Sequence, residues 1–347
     1  MTKATFIFDG TMHALQPLTV TIKGASSIAG HRLPRNGGPD SPVYWPATTI
    51  RGTIRHMAHR AAVIAVREAN NGAIPLDLAD HFLLAQGTDI EGSMPMPGVD
   101  EIDALEKLGL DPLLSLFGYW GGASKACIGN AFPTTAGCSA MFGGGARTIM
   151  FERNPSLLEL LNQTQKDRLS VILTEQSEAS IDIQEFKAKK KELTKRLKTA
   201  NKEDKEALYS QMNEIDAAIT ARKEQKTEAK ESIRRPIDQY EAITAGTEMS
   251  HRMDLKGIGE IELGFFLHTL LAFAREPYMG GHKNHNCGLV KASWTVKTWP
   301  EEAIAPIEAG TVGFGPDGFD IQGETLQRAF DTWVAQRAKL TFGKVNK

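Results

Sequence analysis

Apolar positions recur along this chain with two different periods. Residues 5–8 and 18–23 are short apolar or alternating runs, the pattern of strands, and the Gly/Ser/Pro-rich stretch 24–46 that follows is too long for a hairpin turn. Ile50, Ile54, Met57, Ala61 and Ile64 then recur at helical spacing. They predict a helix that starts at Thr48 or Thr49, either of which can cap it, and runs to about Asn70. Arg51, Arg55 and His59 fall at i, i+4 and i+8 on the opposite stripe. A strand is expected near 126–132, and a second glycine-rich loop follows at 143–145. Later in the chain, 241–255 reads as extended, 258–275 as a helix dense in Leu and Phe, and 289–296 as a strand.

Between about 165 and 235 the composition changes, to over two-fifths charged residues with no Gly and no Trp. Phe186, Leu193 and Leu197 form one helical stripe, and Leu208, Met212, Ile215 and Ile219 form another, with turn chemistry at 201–204. An antiparallel helical hairpin is predicted, each arm reaching about 37 Å at 1.5 Å per residue. Removing this insertion leaves β, helix, β, then β, helix, β. The predicted fold class is therefore α+β, a ferredoxin-like or RRM-like βαββαβ palm with a long helical-hairpin insertion. Residues 301–347 read as a peripheral segment ending in a short helix, 324–339.

The chain has 347 residues, 41% hydrophobic and 24% charged, which describes a globular protein and excludes bulk disorder. No apolar run reaches the ~18 residues of a membrane span and no secretory pattern precedes the first strand, so a cytoplasmic protein without membrane contact is expected. Cys127, Cys138 and Cys287 make no disulfide framework. A net charge of -2 argues against a uniformly basic nucleic-acid binder. The local balance is uneven, however. Lys23, Arg32, Arg35, Arg51, Arg55 and Arg60 face only Asp40 between 23 and 60, whereas 77–111 is rich in carboxylates with Lys107 alone against them.

Two segments are candidate sites. A helix N-terminus attracts phosphate, and Arg51 and Arg55 extend that field from Thr49 along one face, with Lys23, Arg32 and Arg35 converging on the same element. The plainer reading is a solvated helix face. In the loop 279–288, Gly280 and Gly281 allow close backbone approach, while His282, Lys283, Asn284 and His285 supply donors. His282, His285 and Cys287 also suggest zinc, but a fourth ligand at recognised spacing is missing, so no metal and no other cofactor is expected. Neither a GxxxxGK[ST] phosphate loop nor a GxSxG elbow is present. Asp40 is the single candidate acid for metal-dependent catalysis, and Asp40-Ser41-Pro42 is equally an ordinary turn.

The segment from Pro46 to Arg55 resembles the Pro-Gly-Ser-Ser-Leu-Lys-Gly-x-x-Arg motif of RAMP-superfamily proteins, the RNA-wrapping backbone subunits of multi-subunit CRISPR effectors. Asp111 to Gly118 is similar to their Asp-x-x-x-x-Leu-Phe-Gly motif, and Met279 to Val290 to their final glycine-rich loop, in the same order. Ala47 stands in place of the motif glycine, and His285-Asn286-Cys287 in place of a Gly/Arg/Tyr run. The long charged hairpin most resembles the backbone subunit of type IV effectors. The resemblance implies a palm formed by 1–142 and 246–300, a thumb region within 143–245 with Arg234 and Arg235 near its return, and several copies in a head-to-tail filament with other effector subunits. It also puts Asp40 where type III backbone subunits keep a catalytic aspartate. The expected function is a non-catalytic guide-RNA (crRNA) scaffold that presents the RNA to a target nucleic acid for base pairing. The alternatives are a ribonuclease using Asp40 and a helical-hairpin adaptor that binds only protein.

Overall fold

The computed structural model describes residues 3–20, 32–38, 40–91, 111–119, 122–143, 149–197, 202–224 and 239–343. They divide into two units, Met1–Phe142 with Gln239–Lys347, and Gly143–Asp238.

The first unit is α+β, built on an antiparallel sheet. Strand β1 (Ala4–Ala14) is central and pairs along its length with β6 (Glu248–Ile258) on one side and β7 (Val290–Pro300) on the other. Beyond β6 lie β2 (Ala126–Ile128) and β3 (Phe132–Pro133); beyond β7 come β8 (Ile307–Gly315) and β9 (Gly318–Gln322). In β6, Met249, His251, Met253 and Leu255 are buried at every second position while their neighbours are more exposed, so one face of the sheet is covered. Helix α1 (Ala47–Ala69) contributes Ile50, Ile54, Met57 and Ala61 to this core, and α7 (Glu260–Ala274) contributes Leu263, Phe266, Leu270 and Phe273. A separate two-stranded sheet pairs β4 (Ser139–Phe142) with β5 (Tyr240–Ile243).

The sheet depends on Gly10. This residue lies opposite His251 on β6 and Trp294 on β7, and a Cβ at Gly10 would meet the Ser293 carbonyl oxygen at 2.0 Å. The indole N–H of Trp294 donates to His251 Nδ1 at 3.2 Å, linking the two strands that flank Gly10. Since Nδ1 accepts, Nε2 carries the proton and donates to the Gly129 carbonyl, also at 3.2 Å.

The residues after Pro300 correct the expectation of a peripheral tail. β8 and β9 extend the main sheet, and α8 (Glu324–Gln336) buries Leu326, Ala329 and Trp333. It approaches α7 at Gly264, where a Cβ would lie 2.1 Å from the Ala329 carbonyl oxygen. Of the expected strand 18–23, the described part, 18–20, includes a bridge from Leu18 to Ile243; residues 21–31 lie outside the described residues.

In the second unit α4 (Met150–Arg153) and a short 3-10 turn precede two long helices, α5 (Gln163–Leu197) and α6 (Lys202–Glu224). Lys190 pairs with Asp216 and Arg222 with Asp182, each at 2.6 Å, so one helix runs down as the other runs up. The stripes through Leu193 and Ile215 are half-buried. Among the described residues no helix is long and apolar enough to cross a membrane.

Candidate nucleic-acid interface

A groove of about 880 Å³ runs along α1. Its walls include Thr48, Thr49, Arg51, Gly52 and His56 from α1, His81 and Gln86 from α2 (Leu78–Gln86), and Gly280 and Lys283 from the loop between α7 and β7. Two segments more than two hundred residues apart therefore meet at one surface. No Asp or Glu is among its described lining residues.

The start of α1 differs from expectation. Pro46 is the N-cap with no side-chain cap, the Ala47 N–H donates to Asn130 Oδ1 at 2.7 Å, and Thr49 already lies within the first turn. Pro46 fixes its own φ and has no N–H to satisfy, which suits it to that position.

Arg51 and Arg55 do not act alike, although one turn apart. Arg51 is half-buried, and its Nη2 donates to the Phe117 carbonyl at 2.5 Å. Arg55 also borders the groove but is only 6% exposed, correcting its expected place on an open basic stripe. Its Nε donates to Leu84 O at 2.9 Å, Nη2 to Leu83 O at 2.9 Å and Nη1 to Phe117 O at 3.1 Å. Leu83 and Leu84 are in the last turn of α2, where the Leu83 carbonyl also takes the Gly87 N–H, and Phe117 ends α3 (Pro112–Phe117), so the guanidinium adds donors where helical ones run out. Arg55 thus caps two helix C-termini with the planar fork that only arginine carries. Burial, and secondarily the charge of Arg51, pull its pKa down to about 10.

The other expected basic residues separate in the same way. Arg35 forms a fork with buried Glu241 at 2.8 and 2.5 Å, and Glu241 also accepts from the Leu33 N–H and Ser139 Oγ. Arg60 pairs with Glu276 at 2.7 Å. Arg32 is exposed and is not among the groove's lining residues. Lys23, Arg234 and Arg235 lie outside the described residues. The acidic stretch is equally committed in part: Asp77 and Asp80 form the capping box of α2, and buried Asp111 caps α3 through the N–H groups of Leu113 and Leu114. Burial pulls the Asp111 carboxyl up to about 6.

The late loop also corrects its sequence reading. Gly280 has φ +78°, and a Cβ there would lie 2.4 Å from the Thr19 carbonyl oxygen and 2.7 Å from the Trp45 ring. Gly281 donates its N–H to Thr19 O at 2.9 Å. These glycines let the loop close on its own protein, leaving Lys283, Asn284 and His285 exposed and His282 half-buried. Cys287 is buried beside the Tyr240 hydroxyl at 3.4 Å. Among the described residues no group of three or more His, Cys, Asp or Glu side chains is gathered to hold a metal. Asp40 is exposed and lies near Arg35.

The groove also gathers histidines from two helices. His59 Nε2 and His81 Nδ1 are 2.9 Å apart across the groove wall, and His56 lies beside them. Burial, then His81 and His56, hold the His59 pKa down at about 4. Helical spacing in the sequence puts His56 and His59 on one helix, but nothing local brings His81 to them from another. No family model matches the chain, and no curated protein matches it.

Proposed function

We propose that the protein is a non-catalytic RNA-binding scaffold, the guide-RNA-holding backbone subunit of a multi-subunit CRISPR effector. One observation carries this reading: the Thr48–Gly52 segment and the Gly280–Lys283 loop, each resembling an RNA-wrapping motif, line one groove with Arg51 and Lys283 and with no Asp or Glu among its described lining residues. Phosphate contacts at such a surface confer affinity without base readout, which suits a protein whose specificity resides in its RNA. We read the first unit as a ferredoxin-like palm. Support comes from its order: with β2 and β3 as one strand position, strand, α1, strand, strand, α7, strand, the first strand lying between the last two. Copies assemble head to tail along the guide beside other effector subunits, and the target nucleic acid is recognised through base pairing.

Anisotropy of labelled single-stranded RNA across a salt series tests the reading. Binding weakens linearly in log salt, and Arg51→Ala and Lys283→Ala each weaken it alike for all sequences, with the slope lowered by about 0.7 per lost contact. No RNA binding, or a loss confined to one sequence, refutes it. Sizing before and after nuclease treatment tests assembly, and an RNA-independent closed dimer contradicts the filament.

A further inference from the structure

We propose that His285 is a stacking platform for one base of a single-stranded RNA, an inference that rests on the RNA-binding reading above. The Tyr240 ring, on β5, is stacked at 4.2 Å and 9° on His282, and His282 at 5.7 Å and 25° on His285. Phe142 of β4 extends the series behind Tyr240 at 6.3 Å and 19°. Four rings thus form a ladder that starts on a strand pair, and from Tyr240 outwards each ring is more exposed than the last. Tyr240 is 5% exposed, His282 is half-buried, and His285 ends the series in solvent.

The backbone holds this ladder in an unusual conformation. His282 and Asn286 both have φ +55°, the left-handed region, and they bracket the single 3-10 turn Lys283–His285. Left-handed conformations disfavour residues with a Cβ, and they persist where surrounding structure over-determines them, often at ligand sites. Here the Met279 N–H bonds to Gly288 O at 2.8 Å and the Gly288 N–H to Pro17 O at 2.9 Å, fixing the loop at both ends. A ring held by its neighbours loses little freedom when a base joins it. Any base offers a π-face, so a terminal ring beside a basic groove binds single strands with little sequence preference. Lys283, in the same turn, lines that groove.

The test uses the full chain and an oligouridylate carrying a fluorescent adenine analogue, with wild type, His285→Ala, His285→Phe and Lys283→Ala. His285→Ala is expected to weaken binding about tenfold and to relieve stacking-dependent quenching, whereas His285→Phe retains both. The salt slope stays unchanged in the two His285 variants and falls in Lys283→Ala. Equal binding and quenching in wild type and His285→Ala, with Lys283→Ala still weakened, overturns the platform and leaves the scaffold reading standing. Equal losses in His285→Ala and His285→Phe also overturn it, because a retained ring then has no value. Failure of the wild-type protein to bind any single strand overturns both.

Discussion

Acidification should loosen the first unit through His251, and the size of the effect follows from its surroundings. The side chain is 2% exposed, accepts from the Trp294 indole and donates to Gly129 O, so it is a neutral imidazole with both nitrogens used. Protonating Nδ1 would turn its N–H against that of the indole inside the core. Burial accordingly holds the His251 pKa down at about 4, below the ordinary 6.5. Between these values the unfolded chain binds a proton that the native protein does not, so stability falls as pH drops. The contribution is complete above about pH 6.5 and is lost progressively down to about pH 4. At about 1.4 kcal/mol per pH unit, the loss over the whole window is on the order of 3 kcal/mol. Asp111, with its raised pKa, contributes a slope of opposite sign in part of the window, so the informative quantity is a difference between proteins. Urea unfolding of wild type and His251→Gln, followed by tryptophan fluorescence, supplies it, since all five tryptophans lie outside the inserted unit. The wild-type slope should exceed that of the variant by about 1 kcal/mol per pH unit within the window. Parallel pH profiles would refute the reasoning.

Arg55→Ala should cost about 2 kcal/mol, by leaving the Leu84 carbonyl without its donor and the Leu83 and Phe117 carbonyls with only the Gly87 N–H and Arg51, while the salt slope of RNA binding stays at the wild-type value; a lowered slope with unchanged stability would restore Arg55 to the phosphate surface. Gly10→Ala forces a Cβ against the β7 backbone and should destabilise by about 3 kcal/mol in the same urea assay, and a change within error would show that the strands yield freely. Replacing residues 144–238 by a short Gly/Ser loop should preserve cooperative melting of the first unit, because Phe142 and Tyr240 face each other on the β4–β5 ladder and a hairpin-length loop can join them. A broad, non-cooperative transition would place part of the inserted unit in the core.

The legible part of the sequence was its periodicity. Ile50, Ile54 and Met57 marked α1, the Leu/Phe-rich stretch marked α7, and the apolar stripes through Leu193 and Ile215 marked the paired helices α5 and α6. The sheet beyond β7 was illegible because Val312 and Phe314, the buried apolar residues of β8, sit among Gly310, Gly313 and Gly315, and glycine-rich strands resemble loops until a neighbour pairs with them. Site chemistry was harder for a related reason. A helical stripe gives the direction of a side chain from its own axis but not what packs against it, and the carbonyls of α2 and α3 bury Arg55 at the groove's edge while Arg51 stays half-exposed along it. Glu241 similarly takes Arg35 from a distance of two hundred residues, a pairing that local composition cannot announce.

Strand β1 ends at Ala14, yet its two hydrogen-bonding neighbours begin at Glu248 and Val290. During synthesis the N-terminal strand must therefore wait, with Phe6, Phe8 and Met12 unpaired, until most of the chain has left the ribosome. The helices at 163–224 make local contacts and can form long before that point. Assembly is thus expected to proceed from the middle outwards: the inserted unit first, the central sheet last, with β1 the segment most exposed to misassociation on the way. A chaperone that shields early apolar strands should raise the yield of soluble protein more than any change within the inserted helices.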